Sequence, residues 1–202
     1  EALEWLNKAL KIDEQVLNPL SPSLATSYSN IGAIYDSKGD SDEALKWLNK
    51  ALNIREQVLN PLSPDLAISY NNIGMVYKLK GDYDEALKWL NKALKIQEQV
   101  LDSLSPDLAA SYNNIGLVYH LKGDLDEALK WYDKALQIQE QVLNPLSPYL
   151  AGSYNNIGSV YKSQGNLDKA MEFYDKALNI KEHVLNPLSP SLATSYSNIG
   201  AI

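Results

Sequence analysis

Residues 60–101 read NPLSPDLAISYNNIGMVYKLKGDYDEALKWLNKALKIQEQVL, and this stretch returns every 42 residues along the chain. Leu62, Leu104, Leu146 and Leu188 mark the step, as do Tyr28, Tyr70, Tyr112, Tyr154 and Tyr196. A fixed period of this size, with two apolar-periodic segments per copy, marks a helical solenoid in which each unit buries its face only against its neighbours. The expectation is an all-α chain built from antiparallel helix pairs, with the whole of residues 1–202 forming one array.

The boundaries follow from the punctuation. Residues 1–18 match residues 43–60 almost position for position, so the chain opens on a second helix (helix B) without its first (helix A). Helix A is predicted near 22–38, 64–80, 106–122 and 148–164, and helix B near 42–59, 84–101, 126–143 and 168–185. This gives an orphan helix B over 1–20, full repeats over 21–62, 63–104, 105–146 and 147–188, and a truncated helix A over 189–202 that is identical to 21–34. Ser63 is placed to cap helix A while Pro64 takes the first helical position, where its missing N–H costs nothing. Gly81 can adopt the left-handed conformation that closes helix A, and Asp82 with Glu85 has capping-box spacing for helix B. Leu66, Tyr70, Ile73 and Tyr77 share one face of helix A, and Ala86, Leu90, Ala93 and Leu94 share one face of helix B. Asp42/Lys46, Asp84/Lys88 and Asp126/Lys130 are spaced for i,i+4 ion pairs on a solvated face.

Composition narrows the function. With 18 basic and 25 acidic residues the net charge is -7, and no basic stripe is present for a phosphate backbone, so nucleic acid is not an expected partner. Cysteine is absent, which removes disulfides, thiolate ligands and cysteine nucleophiles and fits a reducing compartment. The apolar runs are far shorter than the roughly 20 residues a membrane span needs, and no signal-peptide pattern opens the sequence. No membrane association and a cytoplasmic location are expected.

Tyr70, Ile73, Gly74, Tyr77, Gly81, Ala86, Leu90 and Ala93 fall in the order and spacing of the tetratricopeptide repeat (TPR), and the chain resembles that family throughout. The usual repeat is about 34 residues long, whereas helix B here runs on through Gln99, Val100 and Leu101. This longer repeat, with an Asn-Asn pair in helix A, resembles those of kinesin light chains and nephrocystin-3-like proteins. The resemblance implies a right-handed superhelix whose A helices line a concave groove that holds an extended peptide. Carried over position by position, the groove would include Asn71, Asn72, Met75, Lys78 and Leu79, then Asn113, Asn114, Leu117, His120 and Leu121. Asn155, Asn156, Ser159, Lys162 and Ser163 would follow in the next repeat, with Ser29, Asn30, Ala33, Asp36 and Ser37 in the first.

An asparagine amide both donates and accepts, so a ladder of Asn30, Asn72, Asn114, Asn156 and Asn198 suits a peptide backbone. The same ladder is also what near-identical copies would show whether or not it binds anything. In helix A the variation concentrates at the groove positions, and Met75, Leu79, Leu117 and Leu121 suit hydrophobic anchors on a ligand. Drift on an exposed face would give that variation too.

No enzyme is expected. His120 and His183 have no second histidine at i+4 and read as solvated surface residues. Asp82-Tyr83-Asp84 lacks the glycine and distal glutamate of a calcium loop. No base is partnered to a serine in a recognisable pattern, and no glycine spacing cradles phosphate, so no cofactor or metal is expected. Trp5, Trp47, Trp89 and Trp131, with Phe173 in the fifth place, are expected to pack between repeats. The expected partner is a protein or peptide ligand. The alternative is a structural repeat that self-associates head to tail, the end over 189–202 meeting the start over 1–18 of another molecule.

Overall fold

A computed structural model describes residues 2–202, and among them every regular element is a helix. In chain order these are α1 (Ala2–Val16), α2 (Pro22–Ser37), α3 (Ser41–Val58), α4 (Pro64–Lys80) and α5 (Tyr83–Val100). There follow α6 (Pro106–Lys122), α7 (Leu125–Val142), α8 (Pro148–Ser163), α9 (Leu167–Val184) and α10 (Pro190–Gly200). The ends predicted for the A helices from 22 to 164 and the B helices from 42 to 185 fall within about a residue of the observed ones, the ordinary uncertainty of a helix boundary, whereas α1 stops at Val16 and α10 at Gly200, short of the 20 and 202 expected. The chain divides into two compact units, Glu1–Val100 and Leu101–Ile202. Within each unit every helix packs against the next, as α1 on α2, α2 on α3, α3 on α4 and α4 on α5 in the first.

The punctuation works as its chemistry requires. Ser63 Oγ accepts from the Asp65 N–H at 3.3 Å, and Ser21, Ser105, Ser147 and Ser189 cap their helices in the same way. Gly81 sits at φ 78°, where an L side chain is strained, and its turn is closed by Gly81 N donating to Lys78 O and Asp82 N to Tyr77 O. Asp82 Oδ1 then accepts from Glu85 N at 3.3 Å. The reciprocal half of the capping box is absent because Asp82 N is already satisfied by Tyr77 O, and Glu85 turns instead to Lys88 at 2.9 Å.

That choice corrects the expected i,i+4 pairs. Lys46 and Lys88 pair with the glutamate three residues earlier, Glu43 and Glu85, and not with Asp42 or Asp84. Lys130 likewise takes Glu127. Asp42 is used elsewhere, meeting Lys80 of α4 at 2.6 Å and so tying one repeat to the next.

The interior of the first unit holds two apolar clusters, one carrying Leu48 and Leu52 of α3, Leu66, Ile73 and Val76 of α4, and Ala93 and Ile96 of α5, the other Leu10 of α1, Leu24 and Ile31 of α2, and Ile54 of α3. Small residues set the closeness of each pair. A Cβ on Gly74 would lie 2.9 Å from Leu90 Cγ and 3.2 Å from Ala86 O, so α4 and α5 meet only because position 74 has none. In the second unit the residue against the equivalent glycine is an aromatic ring: Tyr132 packs on Gly116 and Tyr174 on Gly158.

Trp47, Trp89 and Trp131 are packing residues whose first partner lies within their own repeat, whereas Trp5 is exposed. Tyr28 and Trp47 have ring centroids 5.7 Å apart, as do Tyr70 and Trp89, and Tyr112 and Trp131. Lys50, Lys92 and Lys134 lie over these indoles at 4.3, 4.1 and 4.2 Å from the centroids. The repeats are then joined by tyrosine hydroxyls that donate to the preceding helix B, as Tyr70 to Glu56 at 2.9 Å and Tyr154 to Glu140 at 2.8 Å.

Candidate functional site

In the second unit α6 and α8 lie side by side, and the two asparagines of each pair do different things. Asn113 Nδ2 donates to Ser153 Oγ at 3.1 Å, and Asn198 Nδ2 donates to Asn155 Oδ1 at 3.2 Å. Asn113 and Asn155, the first of their pairs, therefore tie neighbouring A helices together, and from α10 the tie is made by Asn198, which stands where Asn114 and Asn156 stand in their helices. Asn114 and Asn156 make no such bond and line a cleft of about 530 Å³ between α6 and α8.

Two small residues hold that cleft open. Ala110 and Gly152 occupy the positions that Thr26 and Ile68 fill in the first unit. A Cβ on Gly152 would meet nothing within 4 Å, so no packing constraint requires glycine there. Glycine in a helix interior costs roughly 0.5–1 kcal/mol against alanine, and what that residue leaves here is space.

The floor of the cleft belongs to helix B. Gln139 of α7 is only 6% exposed, and its Oε1 accepts from Ser153 Oγ at 2.6 Å. Asn113 Nδ2, Ser153 Oγ and Gln139 Oε1 thus form a directed chain that leaves Gln139 Nε2 for the cleft. The same position recurs as Asp13, Arg55, Gln97 and Lys181, opposite the constant Ser27, Ser69, Ser111 and Ser195. Ser27 Oγ donates to Asp13 Oδ2 at 2.7 Å. Opposite a cation the hydroxyl reverses: it accepts from Arg55 Nη1 at 2.7 Å, or from Lys181 Nζ at 2.8 Å, and gives its own proton to a helix carbonyl.

In the first unit, Asn72 and Met75 of α4 meet Ala33 and Asp36 of α2 around a hollow of about 120 Å³. Asp36 presents an unpaired Oδ1 and acts on the half-buried Lys78 through space, while burial pulls the Lys78 ammonium pKa down. Asn30 and Leu79 are exposed and Asn71 is half-buried. Met75 and Leu79 lie in the first unit, Leu117 and Leu121 in the second. Leu121 is exposed, whereas Leu117 packs against the cluster holding Tyr132 and Ile157. Lys162 is half-buried on α8.

His120 departs from the solvated residue expected. It is half-buried, its Nε2 lies 3.2 Å from Ser163 Oγ across α6 and α8, and burial lowers its pKa. His183 is exposed, with Nδ1 2.7 Å from Asn179 O. Among the described residues no cluster of three or more His, Asp or Glu could hold a metal ion, and no helix is long and apolar enough to cross a membrane.

Sequence reasoning passed over Gln139, Ser153, Ala110, Gly152 and Tyr149, which also line the cleft. The signal was available, because Ser23, Asp65, Asp107, Tyr149 and Ser191 vary at one position and Thr26, Ile68, Ala110, Gly152 and Thr194 at another. Both lie in the first half of helix A, outside the groove positions expected, and the helix B position of Gln139 varies as well.

The model of the tetratricopeptide repeat matches the chain over residues 1–57, 38–99, 65–141, 107–183 and 149–202. The chain belongs to the tetratricopeptide-repeat family. TPR folds of the kinesin light chain kind are among the solved structures similar to it. One is a protein of Podosopora anserina with nearly identical TPR-like repeats, 23% identical over 92% of this chain and 88% of that one, with a TM-score of 0.80. Another is BtubC (BKLC) from P. vanneervenii, 23% identical over 98% of this chain and 80% of that one, at a TM-score of 0.82. MamA is 24% identical over 90% of this chain and 88% of that one, at a lower TM-score of 0.62. No curated protein matches the sequence. TPR arrays are generally non-catalytic scaffolds that mediate protein interactions.

Proposed function

We propose that the A-helix face of this TPR protein binds an extended peptide segment, with no chemistry of its own. The observation that carries the reading is the cleft between α6 and α8, where Asn114 and Asn156 keep their amides and Gly152 contributes no side chain. A backbone laid there finds both donors and acceptors in the two amides. Asn113 and Asn155 serve the groove indirectly, by fixing the A helices that frame it. In the first unit Asn72 lines a smaller hollow with Met75 and Asp36, nearer the end of helix A.

The test is a peptide array probed with the whole chain, followed by titration calorimetry on the peptides retained. The double change Asn114→Ala and Asn156→Ala is expected to weaken a bound peptide about tenfold or more with the helical content unchanged, since each lost amide contact is worth about 0.5–1.5 kcal/mol. Retention of full affinity by that double variant would remove the cleft from the function.

A further inference from the structure

The hollow between α2 and α4 in the first unit is bordered by an acid that the fold leaves without a donor. Ala33 and Asp36 of α2, Leu48 of α3, and Asn72, Met75 and Val76 of α4 line its space of about 120 Å³. Asp36 is half-buried, and its Oδ1 is buried with no hydrogen-bond partner among the described residues. A half turn about χ2 exchanges the two carboxylate oxygens, so what is unsatisfied is the carboxylate facing the hollow. Burying such a group without a donor costs free energy. Lys78 of α4 acts on it only as a charge at a distance: burial pulls the Lys78 ammonium pKa down, and the charge of Asp36 opposes that shift.

The equivalent place in the second unit is closed. Leu117, His120 and Tyr132 stand there where Ala33, Asp36 and Leu48 stand in the first unit, and Ser163 stands where Leu79 does. Leu117 packs into the apolar cluster, Tyr132 is fully buried, and His120 Nε2 lies 3.2 Å from Ser163 Oγ. The titratable side chain of that set thus has a partner on the next A helix. In the first unit the partner position holds Leu79, which has no donor to give, and the smaller Ala33 and Leu48 leave room. Of Asp36, Lys78, His120 and Lys162, which share one position in successive copies, only Asp36 is an acid. Open space and a negative charge lacking a donor therefore coincide in this hollow.

We infer that the hollow receives the ammonium of a lysine on a segment held against the A helices of the first unit. The inference rests on the peptide-binding reading above. The ammonium meets the Asp36 carboxylate, the Asn72 amide oxygen offers a second acceptor, and Leu48, Met75 and Val76 take the last methylenes of the lysine stem. A lysine suits so small a space because its charge is compact and its stem unbranched, whereas the planar fork of an arginine is broader. The net charge of -7 draws a basic segment toward the chain.

The test starts from lysine-containing peptides bound by the whole chain. Each lysine is replaced in turn by norleucine, which keeps the stem and removes the charge, and affinities are measured by calorimetry at low and high salt. At one lysine position the replacement is expected to weaken binding about tenfold or more, and by less at high salt. Asp36→Asn keeps the shape of the side chain and is expected to bring that lysine-to-norleucine ratio within about twofold. Ala33→Leu installs the residue found at 117, keeps the acid and fills the hollow, so it is expected to remove the preference as well. If the preference survives either change, or if peptides bind and no lysine is preferred to norleucine, the inference fails while the groove reading stands. If no peptide binds at all, the groove reading fails and takes this inference with it.

Discussion

At the scale of single residues, the clearest misfit is a hydroxyl. Tyr132 is fully buried, and its OH is among the buried polar atoms without a hydrogen-bond partner. Its counterpart Tyr174 is not among those atoms and has Ser159 nearby, where the residue corresponding to Ser159 beside Tyr132 is Leu117. An unsatisfied buried hydroxyl costs about 1–3 kcal/mol, so Tyr132→Phe is expected to raise the free energy of unfolding in urea by about 1 kcal/mol or more. Leu117→Ser should restore the partner, and in its presence the gain from Tyr132→Phe should shrink. The serine hydroxyls at 69 and 153 illustrate the converse, where a single small group is satisfied in opposite senses by its neighbours.

At the scale of the helix, two glycines in equivalent secondary structure have opposite expected responses. Gly74→Ala drives a Cβ to 2.9 Å from Leu90 Cγ and 3.2 Å from the Ala86 carbonyl, so it should destabilise the protein by about 1–3 kcal/mol through overpacking. Gly152→Ala meets nothing and should stabilise by about 0.5–1 kcal/mol through backbone entropy. Denaturant midpoints for the two variants check both signs. Gly152→Ile, which copies Ile68, should stabilise as well and at the same time fill the α6–α8 cleft, weakening any peptide held there. Ser63→Ala removes a cap from α4 and should cost about 1 kcal/mol by the same assay.

Helices of this kind were legible in the sequence because their ends are local events. Ser-Pro starts and glycine stops act within four residues, and the apolar period of each helix is set by its own neighbours in sequence. The cleft was legible only in part. Asn113 and Asn114 are adjacent and alike in type, and nothing local tells that the first reaches Ser153 of the next A helix while the second faces open space. Gln139 on the floor belongs to another helix and stands far along the chain from Asn113, to which Ser153 links it. A relation of that range is written in the packing of α7 against its neighbours, and a reading confined to helix A does not reach it. The ion pairs failed for the same reason: Asp42 finds Lys80 38 residues on, a contact that helical spacing cannot announce.

At the scale of the molecule, the tyrosines that join repeats make stability depend on pH at the alkaline end. Burial, with a smaller contribution from the glutamates they contact, pushes the pKa of Tyr28, Tyr70 and Tyr154 up to about 12 from an ordinary 10.0. The fold thus favours the neutral phenol. Its contribution is complete below pH 10 and is lost as the pH rises through 12, because the unfolded chain ionises first. Urea midpoints should therefore hold steady up to about pH 10 and then fall, in step with the appearance of tyrosinate absorbance. Tyr70→Phe removes one such joint, and its midpoint should decline less steeply over the same range.

The constant serine opposite a changing floor residue bears on how such a chain diversifies. Most buried polar contacts are two-sided, so altering one partner strands the other until a second mutation arrives. Here a single codon change at position 55 or 139 lands on a hydroxyl that already fits the newcomer, and the path from one side chain to another strands no buried partner along it. Copies descended from one ancestor could drift apart in charge at this place, one substitution at a time, while the scaffold between them stayed the same.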